Sequence, residues 1–360
     1  MSRDRGRGDA GPPPRAHSLG CMESPLLAVQ GAVRADEPDA GVAAHYGDPY
    51  AEQRALAEAS GLVDRSHRDV ITISGQDRLR WLNDLSTQKL DALPPGAAEQ
   101  TLILSPRGHV EHHLTLADDG CTTWVHVEPG EAKPLLEFLE SMRFMLRVHV
   151  ADVSDDYAVI TLCGPAASAD PERGAVIAMQ LPFGIDLIIA RERLADTVAG
   201  LRRQDIRLAG MWAHEALRIA GHRPRLGADT DHRAIPHELG WIETAVHLSK
   251  GCYRGQETVA RVHNLGHPPR RLVLLHLDGG EDRLPAHGEP VLLGESPVGF
   301  VGSAARHYLL GPIALALVKR TTPVDAGLST AGIAAAQEVI VPPDAGANVK
   351  ITMKRQRDLA

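Results

Sequence analysis

Two adjacent prolines, Pro268 and Pro269, constrain this chain more than any other feature. Proline has no backbone N–H and fixes φ near −65°, so neither a helix nor a central strand runs through the pair. The texture differs on its two sides. Beyond it, short apolar runs at 271–277, 290–294, 298–304, 313–319 and 338–341 are separated by Gly, Pro and Asp turns. That spacing predicts a small all-β barrel or sandwich. Before it, helical and strand-like periods alternate, which predicts an α+β body. The domains expected are 41–267, with a sub-boundary near 155, and 268–345, followed by a tail at 346–360.

Within the body, Asp48-Pro49 reads as a helix start that runs to Gly61. Residues 69–74 alternate as a strand, and a helix after Asp77 places Leu79, Leu82 and Leu85 on one face. Strands at 101–104 and 109–116 flank a Pro106–Gly108 turn, and Asp118-Asp-Gly120 turns into a strand at 122–127. A helix at 131–144 and strands at 146–153 and 157–162 follow. A helix-strand-helix run is expected to about 205, then a short helix at 211–220. An irregular stretch at 221–236 is long enough to be functional.

The 360 residues carry 38 Lys and Arg against 46 Asp and Glu, a net charge of −8. That balance argues against broad binding to nucleic acid or a membrane surface. Cysteines at 21, 121, 163 and 252 fit neither a disulfide framework nor a zinc knuckle, so a reducing cytoplasm is expected. Residues 1–40 open with Arg, Gly, Asp and Pro, a composition that orders poorly, and are expected to form a disordered leader containing an inert Cys21.

The densest run of reactive residues is Lys250-Gly251-Cys252-Tyr253-Arg254-Gly255-Gln256-Glu257. A thiolate is favoured near cations and helix N-termini, and here Lys250, Arg254 and a helix expected from Gln256 surround Cys252. Gly251 and Gly255 permit φ > 0 or close approach to a ligand. A small buried cysteine in a tight turn explains the same pattern. Gln256 and Glu257 suit a first helical turn and support for the thiol.

The octad and the Thr258-Val-Ala-Arg261 that follows resemble the signature of the YgfZ family. These are folate-binding proteins of the glycine-cleavage T-protein (aminomethyltransferase) superfamily tied to iron–sulfur protein maturation. Residues 61–66 through 75–77, the 217–221 segment and the terminal β module are similar to the same superfamily, so the resemblance covers about 42–345. It implies a T-protein-like folate-binding body of two α/β subdomains plus a C-terminal β-barrel. It also implies a pocket for tetrahydrofolate or a derivative, with iron–sulfur client or assembly proteins as partners.

A pterin needs a flat surface, for which Trp212, Trp241 and Tyr253 are candidates. His214, Gly251, Gly255, Gln256 and Glu257 are expected around the ligand. Arg261 and Arg233 are candidates for its glutamate tail. Cys252 and Lys250 are expected as the reactive pair.

Two departures stand out. The superfamily's Gly-Gly-x-x-Asp-Asp turn matches Gly108-His-Val-Glu-His-His113, so His112 and His113 replace the acidic pair. The Glu of its Ile-Glu-Ala-Gly helix is missing from Ile219-Ala220-Gly221, leaving Glu215 or Glu238 as substitutes. The first weakens the expectation of T-protein chemistry, and the second that of folate binding. A folate-binding accessory factor is the leading reading. A one-carbon transferase and a ligand-free interaction module are its rivals. His109, His112 and His113 invite a metal, but on a strand 112 points away from the other two, and no further ligand accompanies them. His222, His232 and His237 could line a pocket or be solvated.

Overall fold

The structure is a computed structural model that describes residues 23–164, 174–280 and 283–347. Cys21 and residues 348–360 of the expected tail lie outside the described residues.

Two five-stranded sheets form the body. The first runs in the order Ala98–Leu104, Val110–Asp118, Thr122–Val127, Asp69–Ser74, His149–Asp152, with every pairing antiparallel. One face packs Ile71, Leu114, Leu116 and Val125 against Leu82 and Leu85 of the Arg78–Leu85 helix and Leu135 and Leu139 of the Ala132–Ser141 helix. Strand alternation sends Gln100, Thr115 and His126 to the opposite face, where registers Gln100↔Thr115 and Thr115↔His126 set them in one row.

The second sheet has the order Ala175–Leu181, Gly184–Ala190, Tyr157–Cys163, Gly61–Asp64, Arg207–Ala209. Its last pairing, between 61–64 and 207–209, is parallel. The helix-strand-helix run expected to about 205 is corrected here. Residues 175–190 are a hairpin, followed by a 3-10 turn at Arg191–Arg193 and the α-helix Leu194–Arg202, while residues 165–173 of that run lie outside the described residues. Gly184, at φ 152°, makes the hairpin possible, because a Cβ there would lie 2.5 Å from the Leu162 carbonyl oxygen.

The C-terminal module is a closed barrel of six strands, Arg270–Leu277, Gly311–Lys319, Ser296–His307, Pro290–Leu293, Leu328–Thr330 and Ile333–Val339 in spatial order. Closure removes exposed strand edges. A core containing Leu102, Trp241, Tyr253, Val259, Leu272, Leu274 and Leu315 fuses barrel and body. Asp229 pins the same junction. Its carboxylate accepts from Arg218 Nη1 at 2.8 Å, Arg225 N at 2.8 Å and barrel Ser303 N at 2.7 Å. Gly302 is required at that contact, since a Cβ would sit 2.3 Å from Asp229 Oδ1.

The expected leader is corrected over 23–40. Leu26 is buried in the core with Leu62, Ile160 and Leu187, and Val33–Arg34 pairs with Ala43–His45. Ser24 Oγ donates to Asp64 Oδ2 at 2.5 Å. Apolar Leu26 and buried Asp39 give this short stretch partners that its composition does not reveal.

Candidate functional site

A cavity of about 1220 Å³ opens between the two sheets, the Met211–Ala220 helix and the 236–244 segment. One wall is the polar row of the first sheet, Gln100, Thr115 and His126, with His113 beside it. Trp241 packs there, its ring centroid 4.6 Å from that of His113. Phe183 and Pro182 line another part, and Arg223 lies with its guanidinium carbon 4.0 Å from the Phe183 ring centroid. The Gln100 side-chain amide has no protein hydrogen-bond partner among the described residues and lines this space.

The floor is ionic. Arg65 Nη1 lies 3.2 Å from Asp186 Oδ1, and Thr161 Oγ1 donates to the same oxygen at 2.6 Å. His126 Nε2 is 3.0 Å from Asp186 Oδ2, while Arg68 Nε donates to His126 Nδ1 at 2.9 Å. Arg68 also donates to Glu128 at 2.6 Å, and Arg225 bridges Glu128, Asp39 and Glu215 at 2.7, 2.9 and 3.2 Å. His67 Nε2 is 3.0 Å from Asp39. Arg218 closes the network onto Glu215 and Asp229.

The network fixes protonation. Burial works against ionising Glu128, but the guanidinium groups of Arg225 and Arg68 outweigh it and hold the carboxyl well below its ordinary range. Asp186 is likewise held low, burial being overcome by Arg65 and His126. Burial pushes His113, His126, His214 and His237 down to about 4, so these imidazoles are neutral at neutral pH. His237 has neither ring nitrogen hydrogen-bonded, and its ring centroid is 6.2 Å from that of His263. The cavity thus sets neutral imidazoles beside a prearranged network of paired charges.

Several expected residues do reach it. His214 lines the cavity with its Nε2 unpartnered, and Trp241, His222, His237 and His113 line it as well. The octad does not. Cys252 is exposed and outside the lining. Lys250 turns its ammonium away to the carbonyl oxygens of Asn83, Ser86 (2.7 Å) and Gln88 (2.6 Å). Burial lowers it to about 8. Tyr253 is buried in the body–barrel core, where its ring packs 5.3 Å from the Lys250 ammonium.

Gly251, Gln256, Glu257 and Arg261 also lie outside the lining. Gly255 has a structural task. At φ 82° it caps the Gln256–Leu265 helix, and a Cβ there would meet the Ser105 carbonyl oxygen at 2.7 Å. Only the far end of this helix, through His263, reaches the cavity.

Trp212 is also corrected. It is 54% exposed and packs on His45, because the Met211–Ala220 helix turns Met211, Ala213 and Ala216 inward instead. Neither proposed carboxylate substitute lines the cavity. Glu215 is held by Arg218 and Arg225, and Glu238 by Arg270 at 2.8 Å. Arg233 is exposed. His112 and His113 face opposite sides of their strand, with His112 Nδ1 3.3 Å from Glu131 Oε2 on the helix side. No three candidate metal ligands come together among the described residues.

The residues missed are the lining arginines 65, 68, 218, 223 and 225 with Glu128 and Asp186. They are scattered over the chain, and isolated arginines usually read as solvated. One signal was available: Arg218 stands within the apolar Ala216-Leu217-Arg218-Ile219 turn.

An α+β body of two sheets around an arginine-rich cavity, joined to a closed six-stranded barrel, defines the class. The GCVT N-terminal domain matches residues 40–170, and the glycine cleavage T-protein C-terminal barrel domain matches residues 270–355. The chain belongs to the glycine-cleavage T-protein superfamily.

An aminomethyltransferase of Symbiobacterium thermophilum is 27% identical over 294 residues, covering 71% of this chain and 77% of the relative. One of Synechococcus sp. (strain RCC307) is 28% identical over 299 residues, covering 75% and 82%. The crystal structure of glycine cleavage system aminomethyltransferase T from Bartonella henselae superposes with a TM-score of 0.73 at 19% identity. It covers 89% of this chain and 97% of that one, a likeness of fold. No helix among the described residues is long and apolar enough to cross a membrane.

Proposed function

We propose that this protein binds a reduced folate in the central cavity and acts as an accessory factor for iron–sulfur proteins, presenting Cys252 to a partner. The observation that carries the folate reading is the cavity itself. Its volume of about 1220 Å³ accommodates a drug-sized ligand, and the Trp241–His113 wall offers a flat surface to a pteridine. The neutral His214 and the free Gln100 amide supply edge hydrogen bonds without the missing carboxylates. The superfamily relatives named above support the same reading.

The accessory role rests on the octad's resemblance to the YgfZ signature and on the exposure of Cys252. An exposed thiol outside the cavity suits an encounter with a protein-borne cluster better than attack on a buried ligand. One thiol supplies one ligand of the four a cluster usually takes, so a partner supplies the rest.

Titration with folinic acid, followed by tryptophan fluorescence, tests the first part. Quenching is expected in wild type and in Trp212→Phe, and is lost in Trp241→Phe. Calorimetry showing no binding to wild type sinks it. For the second part, Cys252→Ala is expected to bind folinic acid normally yet fail to restore iron–sulfur enzyme activity in a deletion strain. Full restoration removes the thiol from the account.

The full-length likeness to aminomethyltransferases favours a second reading, one-carbon transfer onto tetrahydrofolate. Of the four carboxylates lining the cavity, Glu128 and Asp186 are bound by arginines, which leaves Glu99 and Glu243 as the acids such a reaction would have to use. Turnover of an aminomethyl donor in the presence of tetrahydrofolate would favour this reading over the accessory role.

A further inference from the structure

Five arginines line the cavity, and four of them are neutralised by the protein. Arg65 pairs with Asp186, Arg68 with Glu128, Arg218 with Glu215 and Asp229, and Arg225 with Asp39, Glu128 and Glu215. Arg223 has no carboxylate within ion-pairing distance among the described residues. Its guanidinium lies on the Phe183 ring, 4.0 Å from the centroid.

The groups facing it are Cys163, Arg218, Arg65 and Glu215. Burial pushes the Cys163 thiol up to about 11, so it remains protonated and offers no anion. Glu215 is already held by Arg218 and Arg225. Burial lowers Arg223 itself to about 10, which leaves it a cation at neutral pH. Enclosed charges are ordinarily paired directly, and Arg223, which feels Glu215 only at a distance, keeps its N–H groups without a carboxylate partner among the described residues.

We propose that Arg223, stacked on Phe183, is a carboxylate-binding site of the cavity and receives the anionic tail of the bound ligand. The assignment rests on the folate reading above and replaces Arg261 and Arg233 in the role the sequence suggested for them. The geometry suits a bidentate oxyanion, and the folate reading makes that oxyanion a carboxylate. With one face covered by Phe183, the guanidinium presents its planar N–H fork edge-on, which matches the two oxygens of a carboxylate. The neighbouring Gly221-His222 turn, with His222 at φ 58°, holds the Arg223 backbone at the cavity wall.

The test uses calorimetry on the full chain with three probes. Folinic acid carries both a pteridine and glutamate carboxylates, p-aminobenzoyl-glutamate carries only the carboxylates, and 6-methyltetrahydropterin carries only the ring. Arg223→Gln is expected to weaken folinic acid and p-aminobenzoyl-glutamate by about tenfold or more, and to leave 6-methyltetrahydropterin unchanged. Arg223→Lys, which keeps the charge and loses the fork, is expected to fall between.

Because Arg223 has no ion pair to lose, Arg223→Gln should melt at or above the wild-type temperature, which keeps the comparison interpretable. The proposal is overturned if Arg223→Gln binds p-aminobenzoyl-glutamate as wild type does. It is equally overturned if wild type does not bind that probe, or if inorganic phosphate displaces it at lower concentration. A different pattern, in which wild type binds p-aminobenzoyl-glutamate through Arg223 but binds neither pterin nor folinic acid, leaves the anion site standing and removes the folate reading.

Discussion

The ammonium of Lys250 donates to the backbone carbonyl of Ser86 at 2.7 Å, just past the C-terminus of the Arg78–Leu85 helix. With Asn83 and Gln88 also accepting, one lysine satisfies three carbonyls where that helix ends. Lys250→Met removes all three bonds and leaves buried acceptors behind. A loss of roughly 2–4 kcal/mol is expected in urea unfolding. The rate of Cys252 alkylation in the folded variant should stay close to wild type. A large drop in that rate would return Lys250 to the role of thiol activator.

Thiol labelling should separate the cysteines cleanly. Cys121 and Cys252 are exposed, whereas Cys163 is buried and its thiol is pushed up to about 11. Thiolates are the reacting species, so Cys121 and Cys252 are expected to react with a maleimide while Cys163 reacts only after unfolding. Peptide mass spectrometry of the labelled native chain checks this.

Acid should destabilise the fold earlier than carboxylate titration alone would. His126 and His214 sit at about 4 in the fold against 6.5 in an open chain. The unfolded state therefore binds more protons between those values, and stability falls as pH drops from about 6.5 to about 4. The cost is on the order of 2–3 kcal/mol for each histidine. Glu128 and Asp186, held low by their arginines, extend the loss below their ordinary range. Melting temperatures flat between pH 7 and 4.5 would contradict this.

Arg270 joins the barrel to the body by gripping Asp231 at 2.6 Å and Glu238 at 2.8 Å. Arg270→Met strands Glu238, whose side chain is almost fully buried. Unfolding should become easier by about 3–5 kcal/mol, the usual cost of breaking one side of a buried pair. The double variant Arg270→Met/Glu238→Gln should recover part of that loss, which a thermal melt can read.

Gly255→Ala tests the octad's geometry. The αL backbone and the 2.7 Å approach to the Ser105 carbonyl oxygen leave no room for a methyl group. A destabilisation of at least about 1–2 kcal/mol is expected. Cys252 should become more mobile, visible as faster amide exchange over 251–256.

Periodicity located the elements that bury one face. The 69–74 strand, the leucine-faced helix after Asp77 and the first four strands beyond Pro269 stand where hydrophobic spacing places them, whereas the last barrel strand is Ile333–Val339 instead of 338–341 and Leu328–Thr330 was not expected. The 175–190 hairpin was lost to that method because its strands are buried and nearly continuous in apolar residues, which reads equally as helix. At the site, residue reactivity proved a poor guide to position. Lys250, Cys252 and Tyr253 attract notice by chemistry, yet their chain geometry directs them to a helix end, to solvent and to a core. Arg68 and Arg225 carry no local signal, since their partners Glu128 and Asp39 are distant in sequence. Only folding reveals that these four charges share one enclosure.

Asp39 belongs to the stretch 23–40, which precedes nearly all of the matched N-terminal domain, and yet it reaches Arg225 at 2.9 Å on the cavity floor. A chain shortened to begin at residue 41 would keep both sheets and the barrel while surrendering Leu26, Ser24 and this carboxylate. Arg225 would then be one anion short, and the interior would become more positive without any change in its walls. Residues 23–40 thus supply one of the anions that balance the chamber they border, and domain boundaries drawn from similarity alone would cut them away.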